Sequence, residues 1–148
     1  MSNNLKVFSV FGPFKVPIEP DKRAKMVARD LADFWTSVGE TRGRKGVYVF
    51  GMRAGKGITP IYVGKAVKQT FEVEAFTSHK RANHYNPALL NYAKCSPVMF
   101  FVVHPKTGGK TNAKLIDAIE SFFIDVASVS YTHLRAHETD SYLVCRLL

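Results

Sequence analysis

Two tyrosines open the chemical reading. Tyr48 stands in the middle of GVYVF (46–50) and Tyr62 in PIYVGKA (60–66), with the glycine-rich, basic link GMRAGKGIT between their strands. β-Branched and aromatic residues flanked by glycines predict two antiparallel strands, 46–51 and 60–65, joined by a long loop. Adjacent antiparallel strands bring side chains on one face into contact range. Two phenols placed so can be plain aromatic packing, or they can polarise a water beside a phosphate. A phenol ordinarily titrates near about 10. It becomes a usable base where nearby cations or a metal favour the phenolate.

Cations are at hand. Between Thr41 and Arg81 lie nine basic residues, Arg42, Arg44, Lys45, Arg53, Lys56, Lys65, Lys68, Lys80 and Arg81, against Glu72 and Glu74, a net +7. The whole chain carries +9 over 148 residues. Charge clustered around a hairpin makes a field able to hold a phosphate backbone, so nucleic acid is the expected partner. An anionic membrane surface is the lesser expectation.

The elements that must position these groups follow from periodicity. Residues 5–18, punctuated by Gly12, Pro13 and Pro17, predict a short strand or an extended arm. A helix is predicted to open at Asp21 and stop at Gly39, with Met26, Val27, Leu31, Phe34, Trp35 and Val38 on its apolar side. Residues 67–94 read as mostly helical, with a break near Thr77-Ser78 and a fresh start at Pro87. The apolar run 97–103 predicts a buried strand. After the turn HPKTGGKTN, a last helix is expected to bury Leu115, Ile116, Ile119, Phe122, Phe123 and Val126.

Hydrophobic residues at 46% and charged residues at 22% fit one globular domain of ordinary composition. No apolar run approaches the roughly 20 residues that cross a bilayer. The start, MSNNLKVFSVFGPFKV, lacks the pattern of a signal peptide. Cys95 and Cys145 make neither a disulfide framework nor a metal-spaced pair. A cytoplasmic protein without a membrane partner is expected.

GVY and YVG in this order, the basic loop between them, and a later apolar strand and helix with one embedded glutamate (IDAIESFFI) resemble the GIY-YIG nuclease superfamily. The resemblance covers about residues 44–128. It implies an α+β fold, a small three-stranded antiparallel sheet flanked by helices, with residues 1–43 adding an N-terminal strand or arm and a helix. It implies a metal-dependent endonuclease that hydrolyses phosphodiester bonds, on DNA ahead of RNA. A binding module that keeps the fold and has lost cleavage is the alternative.

By the same resemblance, Tyr48 and Tyr62 are the motif tyrosines and Gly64 closes the second motif. Arg81 and Tyr85, at i, i+4, take the places of the helix arginine and its partner. The gap from Tyr62 to Arg81 is longer than the family pattern, so His84, His79 or Lys80 compete for either role. Glu120 is the implied ligand of one Mg2+ (or Mn2+) ion, with Asp117 and Asp125 as rivals. Tyr48 is the implied base on water, Tyr62 orients that water, and Arg81 offsets phosphoryl charge. Lys65 either lowers the phenol's pKa, holds a phosphate, or is simply solvated. Arg42, Arg44, Lys45, Arg53, Lys56, Lys68 and Lys80 are the expected contacts to the nucleic-acid backbone.

The final stretch, VSYTHLRAHETDSYLVCRLL (129–148), resembles translated sequencing-adapter DNA. It is expected to be foreign to the domain, and the His133/His137 pair is discounted with it. The family's terminal active-site asparagine has no equivalent here.

Overall fold

The computed structural model describes residues 7–18, 31–105 and 110–134, with side chains described as far as residue 128. The expected helix start at Asp21, residues 106–109 of the turn, Cys145 and the side chains of the terminal stretch lie outside the described residues.

The chain builds one antiparallel sheet of four strands in the order β1-β4-β2-β3. The strands are β1 (Ser9–Lys15), β2 (Gly46–Ala54), β3 (Gly57–Ala66) and β4 (Ser96–Val103). The expected three-stranded sheet is thus corrected to four. The N-terminal segment pairs with β4, Ser9 opposite Val103 and Phe14 opposite Met99. Its period-2 pattern is broken by Gly12-Pro13, where the register shifts, so sequence alone left it between strand and arm.

The loop expected between the tyrosine strands is also corrected. Most of GMRAGKGIT is strand, with Arg53 opposite Ile58 and Ala54 opposite Gly57, so Gly55-Lys56 makes a two-residue turn. Glycine content read as loop is tolerated here within a paired ladder.

Strand alternation divides the side chains between two layers. On one face, Tyr48, Phe50, Met52, Tyr62, Met99 and Phe101 join Leu31, Phe34, Trp35 and Val38 of helix α1 (Leu31–Val38). A 3-10 turn, Gly39–Gly43, leads from α1 into β2. Short helices α2 (Phe71–Glu74) and α4 (Asn86–Asn91) contribute Phe71, Ala88 and Leu89 to the same core, and α3 (Ser78–Lys80) lies between them with no buried residue. Between α3 and α4, Arg81–Tyr85 is a π-helical turn. On the other face, Val47, Val63 and Val102 meet Ile116 of α5 (Ala113–Leu134), with Ile119 and Phe123 packed alongside. Leu115, Phe122 and Val126, expected in the buried stripe, are exposed instead. One helix on a sheet buries only a narrow arc, and i, i+3, i+7 from Ile116 uses it up.

Candidate active site

The tyrosines do meet. Tyr48 lies opposite Gly64 on β3 and opposite Phe101 on β4, while Tyr62 lies opposite Phe50. Both therefore project to the aromatic face, as diagonal neighbours. Their rings stack at 6.1 Å between centroids with 25° between planes.

Gly64 explains the geometry. A Cβ at that position would lie 2.4 Å from both Cζ and Oη of Tyr48. The phenol tip thus rests directly across the glycine backbone, on an edge strand of the sheet. Gly46, which opens β2, is bound by a similar constraint: its φ is +149°, and a Cβ there would run into the Val102 carbonyl. Each glycine is fixed by close approach.

The helical run after β3 closes over the pair. His84, half-buried, packs on Tyr62 at 4.4 Å between ring centroids. Tyr85 meets Tyr62 edge-on at 5.8 Å and stacks on Phe50 at 4.4 Å. The Tyr85 hydroxyl donates to the Ala75 carbonyl at 2.6 Å, and the residue is fully buried. Tyr85 is therefore a wall of the site that ties the π turn to α2. The single-turn π segment is itself a geometry often found at functional sites.

Arg81 opens that π turn. Its Nη2 reaches Ser78 Oγ at 3.5 Å, and its Nε is buried with no hydrogen-bond partner among the described residues. A buried guanidinium N–H without an acceptor costs about 1–3 kcal/mol, so the position favours an incoming anion.

Lys80 is held against the tyrosine pair. Its Nζ lies over the Tyr48 ring, 5.5 Å from the centroid. It donates to the Glu74 carbonyl at 2.5 Å and pairs with Glu74 Oε2 at 3.2 Å. No local sequence signal places it there, because the contact depends on how α2 and α3 fold back over β2.

The other basic residues do not form a single field. Arg53 precedes the tight turn and Lys56 lies in it, six residues or more before Tyr62, a distance of about 20 Å along an extended strand from Lys56. Arg42, Arg44, Lys45, Lys65 and Lys68 cluster at the opposite end, around Gly46 and Ala66. Three of this group are engaged: Arg42 pairs with Glu72 at 3.4 Å, Arg44 Nη2 donates to the His104 carbonyl at 2.6 Å, and Lys65 pairs with Asp117. Lys65 points to the aliphatic face and binds Asp117 of α5 at 2.6 Å. Asp117 is thereby committed as the partner of Lys65.

Glu120 lies on α5, half-buried, one turn beyond Ile116. It therefore belongs to the layer on the other side of the sheet from Tyr48 and Tyr62. β3, which carries Tyr62 and Gly64, is an edge strand of the sheet. Among the described residues no three His, Cys, Asp or Glu side chains gather into a metal cluster. A lone carboxylate, with waters and phosphate oxygens completing the shell, is one way in which Mg2+ is held.

A groove of about 680 Å³ between β1, α1 and the start of β4 is lined by Val16, Asp33, Phe34, Cys95 and Pro97, and by none of the candidate site residues. No helix among the described residues is long and apolar enough to cross a membrane. No protein-family model matches the chain, and no curated protein or solved structure matches it.

Proposed function

We propose that the protein is a metal-dependent endonuclease that hydrolyses phosphodiester bonds in DNA. The observation that carries this reading is the stacked tyrosine pair, with the Tyr48 tip laid across Gly64 on an edge strand. Tyr48 and Gly64 are both buried, so a nucleic-acid backbone would reach the phenol only once the β3 edge opens. The buried Nε of Arg81, without a hydrogen-bond partner among the described residues, adds a donor suited to a phosphoryl oxygen.

In this reading Tyr48, as phenolate, takes a proton from a water whose oxygen attacks phosphorus. The new P–O bond forms as the bond to the leaving sugar oxygen breaks. Tyr62 orients the water, with His84 packed on its ring to hold it. Arg81 offsets the charge growing on the phosphoryl oxygens. Glu120 would hold a Mg2+ or Mn2+ ion, whose chemistry when bound is to stabilise the leaving oxygen. Lys68, just beyond β3, would contact the nucleic-acid backbone, and the basic residues around the far turn would act only on a long substrate.

One observation favours the alternative, a nucleic-acid-binding module without cleavage. Tyr48 is fully buried, so water must be admitted at the β3 edge before it can act. Nicking of supercoiled plasmid in Mg2+ decides between them, comparing the chain with Glu120→Ala, both shown to be folded. Loss of nicking in the variant with plasmid binding retained supports the nuclease. Binding without nicking by the unaltered chain supports the module.

A further inference from the structure

We propose that Lys80 is a positioning residue for Tyr48, an ammonium fixed by Glu74 over the phenol ring so that Tyr48 is biased toward its phenolate. This deepens the reading of Tyr48 as the base and rests on it for its catalytic meaning, although the ionisation itself can be measured without cleavage.

Four features separate Lys80 from a phosphate contact. Its side chain is only 14% exposed, against 43% for Lys65. Of the three ammonium donors, Glu74 engages the group through both its backbone carbonyl and its carboxylate. The remaining side faces the Tyr48 ring, 5.5 Å from the centroid. The backbone is held as well: Thr77 caps α3, its Oγ1 accepting from the Lys80 N–H at 3.5 Å.

The consequence is electrostatic. Tyr48 is fully buried, and burial favours the neutral phenol, whereas a cation at this range favours the phenolate. A cation over the ring face is also directly attracted by the ring's quadrupole, which holds the ring in place. A neutral side chain here would fill the space and supply neither effect.

The other titratable groups around the pair come from every neighbouring element. Tyr62 of β3 stacks on Tyr48. His84 and Tyr85 of the π turn pack on Tyr62. Glu74 of α2 tempers the charge of Lys80 without cancelling its position. Phe71 of α2 meets the Tyr48 ring edge-on, and Phe101 is its cross-strand neighbour on β4; both are apolar.

The test is a tyrosinate absorbance titration of the full chain, with the Tyr48 contribution isolated by subtracting the matched Tyr48→Phe background. Lys80→Met is expected to shift the Tyr48 midpoint to higher pH, and Lys80→Arg to restore it. Lys80→Gln, whose amide can still donate to the Glu74 carbonyl, should shift it in the same direction as Lys80→Met. An unchanged midpoint in either folded neutral variant overturns the inference. So does unfolding of both neutral variants while Lys80→Arg folds, which would assign Lys80 to structure alone.

The same variants are run through the plasmid assay across pH. If the unaltered chain never nicks but the midpoint moves, the nuclease reading falls and the role of Lys80 over Tyr48 stands. If it nicks, and neither the pH–rate profile nor the midpoint moves in Lys80→Met, the role of Lys80 falls and the nuclease reading stands.

Discussion

The two faces of the sheet are built from different materials. One is aromatic and mixed with polar tips: Tyr48, Tyr62, Phe101 and Tyr85 under α1 and the short helices. The other is aliphatic, Val47, Val63 and Val102 beneath the single helix α5. The rings of the first face touch in a continuous chain from Phe14 through Phe34 and Trp35 to Phe101, Phe71 and Tyr48. Stiff rings with few rotatable bonds hold a phenol in one place at little entropic cost. The aliphatic face needs no such accuracy, and the roughly half-exposed Lys65–Asp117 pair ties its helix to β3.

Three substitutions would break or sharpen that contrast. The largest effect is expected from Phe101→Ala, which removes a fully buried ring that meets Trp35, Phe71 and Phe14. Urea denaturation should show a loss of about 4 kcal/mol, against about 3 kcal/mol for Ile116→Ala on the aliphatic face. Equal losses would mean that the ring network adds nothing beyond its volume.

Gly64→Ala comes next, at about 2–3 kcal/mol. Its methyl would collide with the Tyr48 ring tip, so Gly64→Ala should cost much less when measured in a Tyr48→Ala background than in the unaltered chain. An equal cost in both backgrounds would separate the glycine from the tyrosine. The smallest effect is expected at Lys65→Ala. The Lys65–Asp117 pair is roughly half exposed on both sides, so its removal should change stability by less than about 1 kcal/mol, and the change should shrink in high salt.

Much of the aromatic face was legible in the sequence. A period of two put Tyr48 and Phe50 on one side of their strand, and the helical spacing of Leu31, Phe34, Trp35 and Val38 marked the covering helix, all four of which are buried. Gly39 and Pro87 stood where α1 stops and α4 begins. What was illegible depended on contacts between distant segments. The pairing of β1 with β4 could not be read from a stretch interrupted by Gly12-Pro13. The π turn over Arg81–Tyr85 has no local pattern that separates it from an α-helix. The basic residues read as one cluster because they are close in sequence, but β3 carries them to opposite ends of the sheet. Glu120 was legible as a carboxylate beside an apolar stripe, and its layer was not.

The strand order also bears on how the protein is made. β2 and β3 are joined by a two-residue turn, so their ladder can close as soon as both have formed. The opposite edge is a long-range affair: Ser9 pairs with Val103, 94 residues later. Loop closure over such a span is slow, and folding rates fall as contacting residues grow distant in sequence. A nascent chain therefore carries its first strand without its sheet partner until β4 has left the ribosome. The tyrosine hairpin is expected to pair ahead of the four-stranded sheet, which is completed by the segment synthesised first.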